Sequence, residues 1–342
     1  MPLSAERIAA IARARGPRLR ERITMYADAV VDSLAQQLEL VAWDREQLVG
    51  QLQTRVAELA GARPSVRPGP PLRVVERRLQ PLEAIDTAWG WLRRGRAVRV
   101  SKEPDACSAA LDVLRELVPE LAEDMLTIDD EPAGPLPPGY QEGGVDAPGP
   151  RVAIIDADAD RELAAYVLAR TGLRRSGLDP RGVKVAYAAG ALDLMQRHLR
   201  RLWVGVRVGP ADDPESFAGP VPPALREQYE AAHADWTAHP DVTVWCRGGV
   251  LARAGDPRCY LAPALFHVVG PPPPLPLVGP MMVVSACDQG GLLAAARAVR
   301  AEGGQVVQIG GRPGAVPGVV RHVRGALLVE RLPPGLPEPR PV

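Results

Sequence analysis

The chain has 342 residues, with 41 acidic and 41 basic side chains and a formal net charge of zero. That balance provides no global field for nucleic acid or an anionic membrane surface, so neither is expected as a partner. No stretch approaches about 18 uninterrupted apolar residues, which argues against a membrane-spanning helix.

Residues 4–62 read as helix throughout, with apolar residues at three- and four-residue steps and Gly61 as the expected C-cap. The segment "ARPSVRPGPP" (62–71) reads as a linker. "LEAIDTAWGWLRRG" is predicted helical and "RAVRVS" a strand. "DACSAALDVLRELVPELAEDM" is a further helix with Asp105 as N-cap, and "LTIDD" a strand. "EPAGPLPPGYQEGGVDAPGP" (131–150) carries too much Gly and Pro for regular structure.

"RVAIID" is a strand, and the helix "DADRELAAYVLARTG" starts on aspartates and stops near Gly172. "GVKVAYA" (strand), "ALDLMQRHLRRLWVGV" (helix), the loop "ADDPESFAGPVPP" and "PALREQYEAAHADWTAH" (helix) follow. "VTVWC", "CYLAPALFHV" and "PMMVVSAC" are predicted strands, then "QGGLLAAARAVRAEG" a helix and "GQVVQIG" a strand. Alternation of this kind predicts an α/β protein with mostly parallel sheets covered by helices.

Few local motifs carry chemistry. Cys107, Cys246, Cys259 and Cys287 form no CxxC or Cys/His cluster, so no metal is expected, and the expectation is a cytoplasmic protein with reduced thiols. "DADAD" (156–160) lacks the glycine and glutamate of a calcium loop and reads as an acidic helix start. "GGRPG" (310–314) matches no phosphate-loop spacing. Cys287 lies close to a helix start, a place where a thiol pKa can fall, although a structural strand-end role is the better reading. None of the five histidines accompanies a GxSxG elbow.

Five stretches in order resemble the aldehyde dehydrogenase superfamily. "RVGPADDPESFAGPV" (207–221) resembles the family's "RVGDPLDPDTDVGPL" without a gap. "VTVWCRGGVLARAGDPRCYLAPALFHVV" resembles "GGxxxxxGYFxxPTxL" through Tyr260 and Pro263, and "PLVGPMMVVSACDQGGLLAAARA" resembles the "EIFGP" segment through Gly279 and Pro280. "RVAIIDADADRELAAYVLARTG" is similar to "PAIVxxDADLDxAxxxxxxxxF". "WLRRGRAVRVSKEPDACSAALDVLREL" resembles "LAAGNxVVxKPSExxPxxAxxLAEL", which places Lys102 near the lysine that contacts the cofactor's adenosine part.

The resemblance implies an aldehyde-dehydrogenase-like fold with a reduced nucleotide-binding part and an N-terminal helical segment. The implied domains are 1–71 (helices and linker), 72–150 (reduced coenzyme-binding-like region), 151–332 (catalytic-domain-like region) and a Pro-rich tail, 333–342. It also implies missing chemistry. "RRSGLDPRGVKV" (174–185) lies where the family carries "NxGQxCxxxxRVxV", and Pro180 stands at the position of the nucleophilic cysteine. Gly144 stands at the base, with Glu142 slightly early; Arg78 maps near the oxyanion-stabilising asparagine and Pro276 to the cofactor-ribose glutamate.

A pyrrolidine ring cannot form a thiohemiacetal. The expectation is therefore a protein that has lost the family chemistry, takes no cofactor, and serves in binding or assembly by self-association or beside an active relative. The alternative is an NAD- or NADP-dependent oxidoreductase acting on an aldehyde or acyl substrate through a relocated cysteine, Cys246 or Cys287.

Overall fold

A computed structural model describes residues 3–58, 65–78, 82–116, 118–143, 151–316 and 319–323. The chain divides into two compact units, one formed by residues 1–40 and 44–147, the other by 41–43 and 148–342.

In the first unit, helix α1 (Ala5–Gln37) starts on Ser4, whose hydroxyl accepts from the Arg7 amide 3.3 Å away. Its buried residues Ile8, Ala12, Leu19, Ile23, Val30 and Leu34 keep the spacing of one helical face. The single helix expected over 4–62 is in fact two. Leu38 ends α1, Glu39 takes a left-handed φ of 49°, and α2 (Ala42–Glu58) begins after that turn. Gly61, the expected C-cap, lies outside the described residues.

Strand β1 (Leu72–Glu76) leads to α3 (Glu83–Arg93), β2 (Val98–Lys102), α4 (Ala109–Arg115), β3 (Leu126–Pro132) and β4 (Gln141–Glu142). All pairings are parallel, in the order β3-β2-β1-β4. Val74, Val98, Val100 and Leu126 face one core with α1, α3 and α4.

Three expectations need correction in this unit. Asp105 does not cap α4, which begins behind Ser108. The helix stops at Arg115 because Pro119 has no N–H to offer the Arg115 carbonyl and its ring would clash with that carbonyl; a short 3-10 turn, Val118–Glu120, follows. Residues 131–143 are not wholly irregular either, since Glu131 and Pro132 extend β3 and β4 pairs with Leu72 and Arg73.

The second unit holds β5 (Arg151–Ile155), α5 (Arg161–Gly172), β6 (Val185–Ala188), α6 (Asp193–Gly205) and α7 (Leu225–Ala238). After these come β7 (Thr243–Cys246), β8 (Gly249–Arg253), β9 (Asp256–Ala262), β10 (Ala264–Val269) and β11 (Met281–Ala286). The described part closes with α8 (Gln289–Ala301), β12 (Gln305–Ile309) and β13 (Val319–Val323). Seven strands form one sheet in the order β13-β12-β5-β6-β11-β10-β7, parallel except for the edge strand β7.

The run "CYLAPALFHV", expected as one strand, divides at Pro263, which has no N–H to offer a ladder. Its first half pairs with β8 in a separate hairpin, and its second half enters the large sheet. The acidic start of α5 is as expected: Asp160 Oδ1 accepts from the Glu162 and Leu163 amides at 2.9 and 3.0 Å. Asp156 instead receives the side-chain amides of Gln289 (3.1 Å) and Gln308 (2.9 Å), and Asp158 that of the Gly311 backbone (2.7 Å). Among the described residues no helix is long and apolar enough to cross a membrane.

Candidate functional site

The loop between α5 and β6 brings together three stretches that are distant in sequence. Arg175, Ser176 and Gly177 follow one another with φ of 48°, 54° and 74°. Left-handed backbone costs about 1–2 kcal/mol for a residue with a Cβ, so tertiary contacts must hold this turn. They do so from both sides. The buried Ser176 hydroxyl donates to the Gly219 carbonyl at 2.8 Å, and Lys184 Nζ donates to the carbonyls of Gly177 and Gly279. Gly177 packs so closely on Gly279 and Pro280 that a Cβ there would lie 2.3 Å from the Gly279 oxygen.

The next residues, Asp179-Pro180-Arg181-Gly182, make a tight turn with the Gly182 amide on the Asp179 carbonyl at 2.8 Å. Proline at the second position and glycine at the fourth suit a type I turn. Asp179 is buried and accepts from the Arg181 amide at 2.9 Å and from Arg174 Nη1 at 3.1 Å. Burial pushes its carboxyl up, but Arg175, Arg174 and the Arg181 amide outweigh that and hold it below the usual carboxylate range.

Lys184 was not singled out by sequence reasoning. Its signal was rarity: it and Lys102 are the only lysines among 41 basic residues. Burial pushes its ammonium down to about 7, with Asp179 opposing. Because the folded pKa lies below the unfolded one, the unfolded chain binds more protons from about pH 7 to about pH 10.4. Stability of the second unit therefore rises with pH across that window and levels off on either side. Urea midpoints measured from pH 7 to 10 are expected to climb for the native chain and to climb less for Lys184→Met.

The sulfur candidates lie elsewhere. Cys287 follows the C-terminal end of β11, whereas Pro180 precedes the N-terminal end of the adjacent parallel strand β6. The four paired residues between them, at roughly 3.3 Å each, separate those ends by about 13 Å. Cys246 ends the antiparallel strand β7 opposite Leu265, at the same end of the strands as Pro180, but three strand spacings from β6, or about 14 Å. Its thiol donates to the Pro263 carbonyl at 3.4 Å. Burial raises both thiols, and the Asp288 carboxylate raises Cys287 further, so the lowered pKa considered for a helix start does not arise.

The remaining mapped positions have structural partners. The Pro276 carbonyl accepts from Trp236 Nε1 at 2.8 Å. In the first unit the Arg78 amide donates to Glu103 at 3.1 Å, Glu142 accepts from Arg73, and Lys102 is the last residue of β2. Gly144 lies outside the described residues, and no group of three or more metal-ligating side chains occurs among those described.

A dinucleotide would ask for an open helix N-terminus behind a parallel strand, where backbone N–H groups meet phosphate. Behind β1 that place is taken. Glu76, only 1% exposed, turns its carboxylate onto the start of α3, accepting from the Leu82 amide at 2.8 Å and the Ala84 amide at 3.1 Å. The protein's own carboxylate takes up the amides of this helix start, so the described residues there do not fit a phosphate group.

No family model and no curated protein matches the sequence. Solved structures do. Methylmalonate-semialdehyde dehydrogenase from Oceanimonas doudoroffii superposes with a TM-score of 0.67 at 16% identity, over 91% of this chain and 78% of that one. An aldehyde dehydrogenase from Bartonella henselae gives 0.67 at 13% identity, over 91% and 80%. Lactaldehyde dehydrogenase from Escherichia coli gives 0.63 at 13% identity, over 91% and 75%. Over 91% of its length the chain has the aldehyde dehydrogenase fold.

Proposed function

We propose that this protein is a non-catalytic representative of its fold, with a role in binding or assembly, either by self-association or beside an active relative. The observation that supports this most is the Asp179–Gly182 turn. The loop that resembles the family's nucleophile loop in sequence is closed by backbone and carboxylate hydrogen bonds around a proline, with no thiol on it. Covalent catalysis on an aldehyde needs a positioned nucleophile, and a proline ring supplies none.

The alternative, an NAD- or NADP-linked oxidation through a relocated cysteine, draws support from one fact: Cys246 lies at the same end of the strands as Pro180. A panel of aliphatic and aromatic aldehydes, assayed with millimolar NAD or NADP, separates the two. The expected result is no reduced-cofactor absorbance above the protein-free rate, and no calorimetric heat with either cofactor. Turnover that disappears in Cys246→Ser or Cys287→Ser would replace this reading with the alternative.

A further inference from the structure

The face of the first sheet turned away from α1, α3 and α4 carries Arg73 on β1 and Arg99 and Ser101 on β2, alternating with residues that enter the core. A half-open cavity of about 360 Å³ lies over this face, lined on one side by residues between Asp129 and Pro137. That volume is at the lower end of ligand pockets, which run from about 300 Å³ upward, and suits a small molecule instead of a dinucleotide.

Two buried polar groups in the lining have no partner. Ser101 is 1% exposed and its hydroxyl makes no hydrogen bond. The Arg73 side chain is 12% exposed; its terminal nitrogens donate to Gly134 and Glu142, but its Nε–H donates to nothing. Buried groups of this kind each cost about 1–3 kcal/mol when left unsatisfied, so a polar occupant is favoured.

The backbone is irregular at the same place. Val100 pairs with Ile128 and Lys102 with Pro132, so β3 carries two extra residues opposite Ser101. Bulges of this sort re-aim side chains beside binding sites. Here the bulge carries Asp129, Asp130 and Glu131 into the cavity lining. Asp129 is held by Arg99 at 2.8 Å and Asp130 by Arg115 at 2.7 Å, whereas Glu131 is exposed.

We propose that this cavity binds a small zwitterionic amino acid. Its carboxylate would accept from Arg73 Nε–H and the Ser101 hydroxyl, and its ammonium group would face Glu131. A charge-assisted bond to arginine at one end and a carboxylate at the other selects both charges of the ligand. The assignment goes beyond the non-catalytic reading and does not rest on it; failure here leaves the aldehyde assay unaffected, and the reverse also holds.

Calorimetry on the full chain tests it, with glycine and β-alanine as zwitterions, propionate as the carboxylate alone and propylamine as the amine alone. Saturable binding of a zwitterion is expected, with propionate and propylamine weaker by about tenfold or more. Ser101→Ala removes a hydroxyl with no partner, and Glu131→Gln changes an exposed side chain, so both variants keep the fold. Each is expected to weaken zwitterion binding by about tenfold. A folded protein that binds none of the probes would reduce the cavity to a solvent-filled space and overturn the assignment. So would equal binding of propionate and β-alanine, or unchanged affinity in both variants.

Discussion

Gly177→Ala destabilises the second unit by about 3 kcal/mol, the sum of left-handed backbone strain and forced overpacking. The residue has a φ of 74°, and an added Cβ would meet the Gly279 oxygen at 2.3 Å, the Gly279 carbonyl carbon at 2.5 Å and Pro280 Cα at 2.5 Å. These are backbone atoms, so no rotamer change relieves the contact. Gly255, in the β8–β9 turn, provides the control: its φ is 76°, and an added Cβ would have nothing within 4 Å. Gly255→Ala should therefore cost only the backbone share, about 1 kcal/mol. Urea denaturation of both variants measures the difference. Equal losses would mean that the 174–185 loop is not pressed against Gly279.

In the first unit Glu76→Ala is expected to cost about 3 kcal/mol, because two buried amides lose their acceptor at roughly 1–3 kcal/mol each. The loss is local to the start of α3, where Leu82 has a φ of 75° and its own side chain offers no cap. Trp89 and Trp91 on α3 report it by fluorescence during denaturation. Glu76→Gln also loses stability, since one of its two acceptor oxygens becomes a donor facing an N–H. A fully stable Glu76→Ala chain would show that the carboxylate does not hold this turn, and the helix start would again be open to an anionic ligand.

Element type was legible wherever an apolar period ran uninterrupted. The strand "RVAIID" and the helix opening on Asp160 sit where they were expected, because alternation and a capping carboxylate are local properties. Misses cluster where distant partners decide. The strand β4 is only Gln141–Glu142 and exists through pairing with Leu72 and Arg73, which no local pattern announces. Likewise β8 has an exposed, weakly patterned sequence and forms because β9 lies beside it. The break at Leu38 was hidden because both helices continue the same apolar spacing through the turn.

The ordered motifs identified the architecture, and Pro180 by its chemistry alone excluded a nucleophile at its own position. These are properties of residue type and order, which a sequence states directly. That Ser176 reaches Gly219, that Lys184 binds Gly177 to Gly279, and that Glu76 occupies the start of α3 were decided only by the tertiary structure. Each of those contacts depends on side-chain direction and loop closure across several to about a hundred residues. Hydrogen bonds of that kind depend on distance and angle, and no sequence period encodes either.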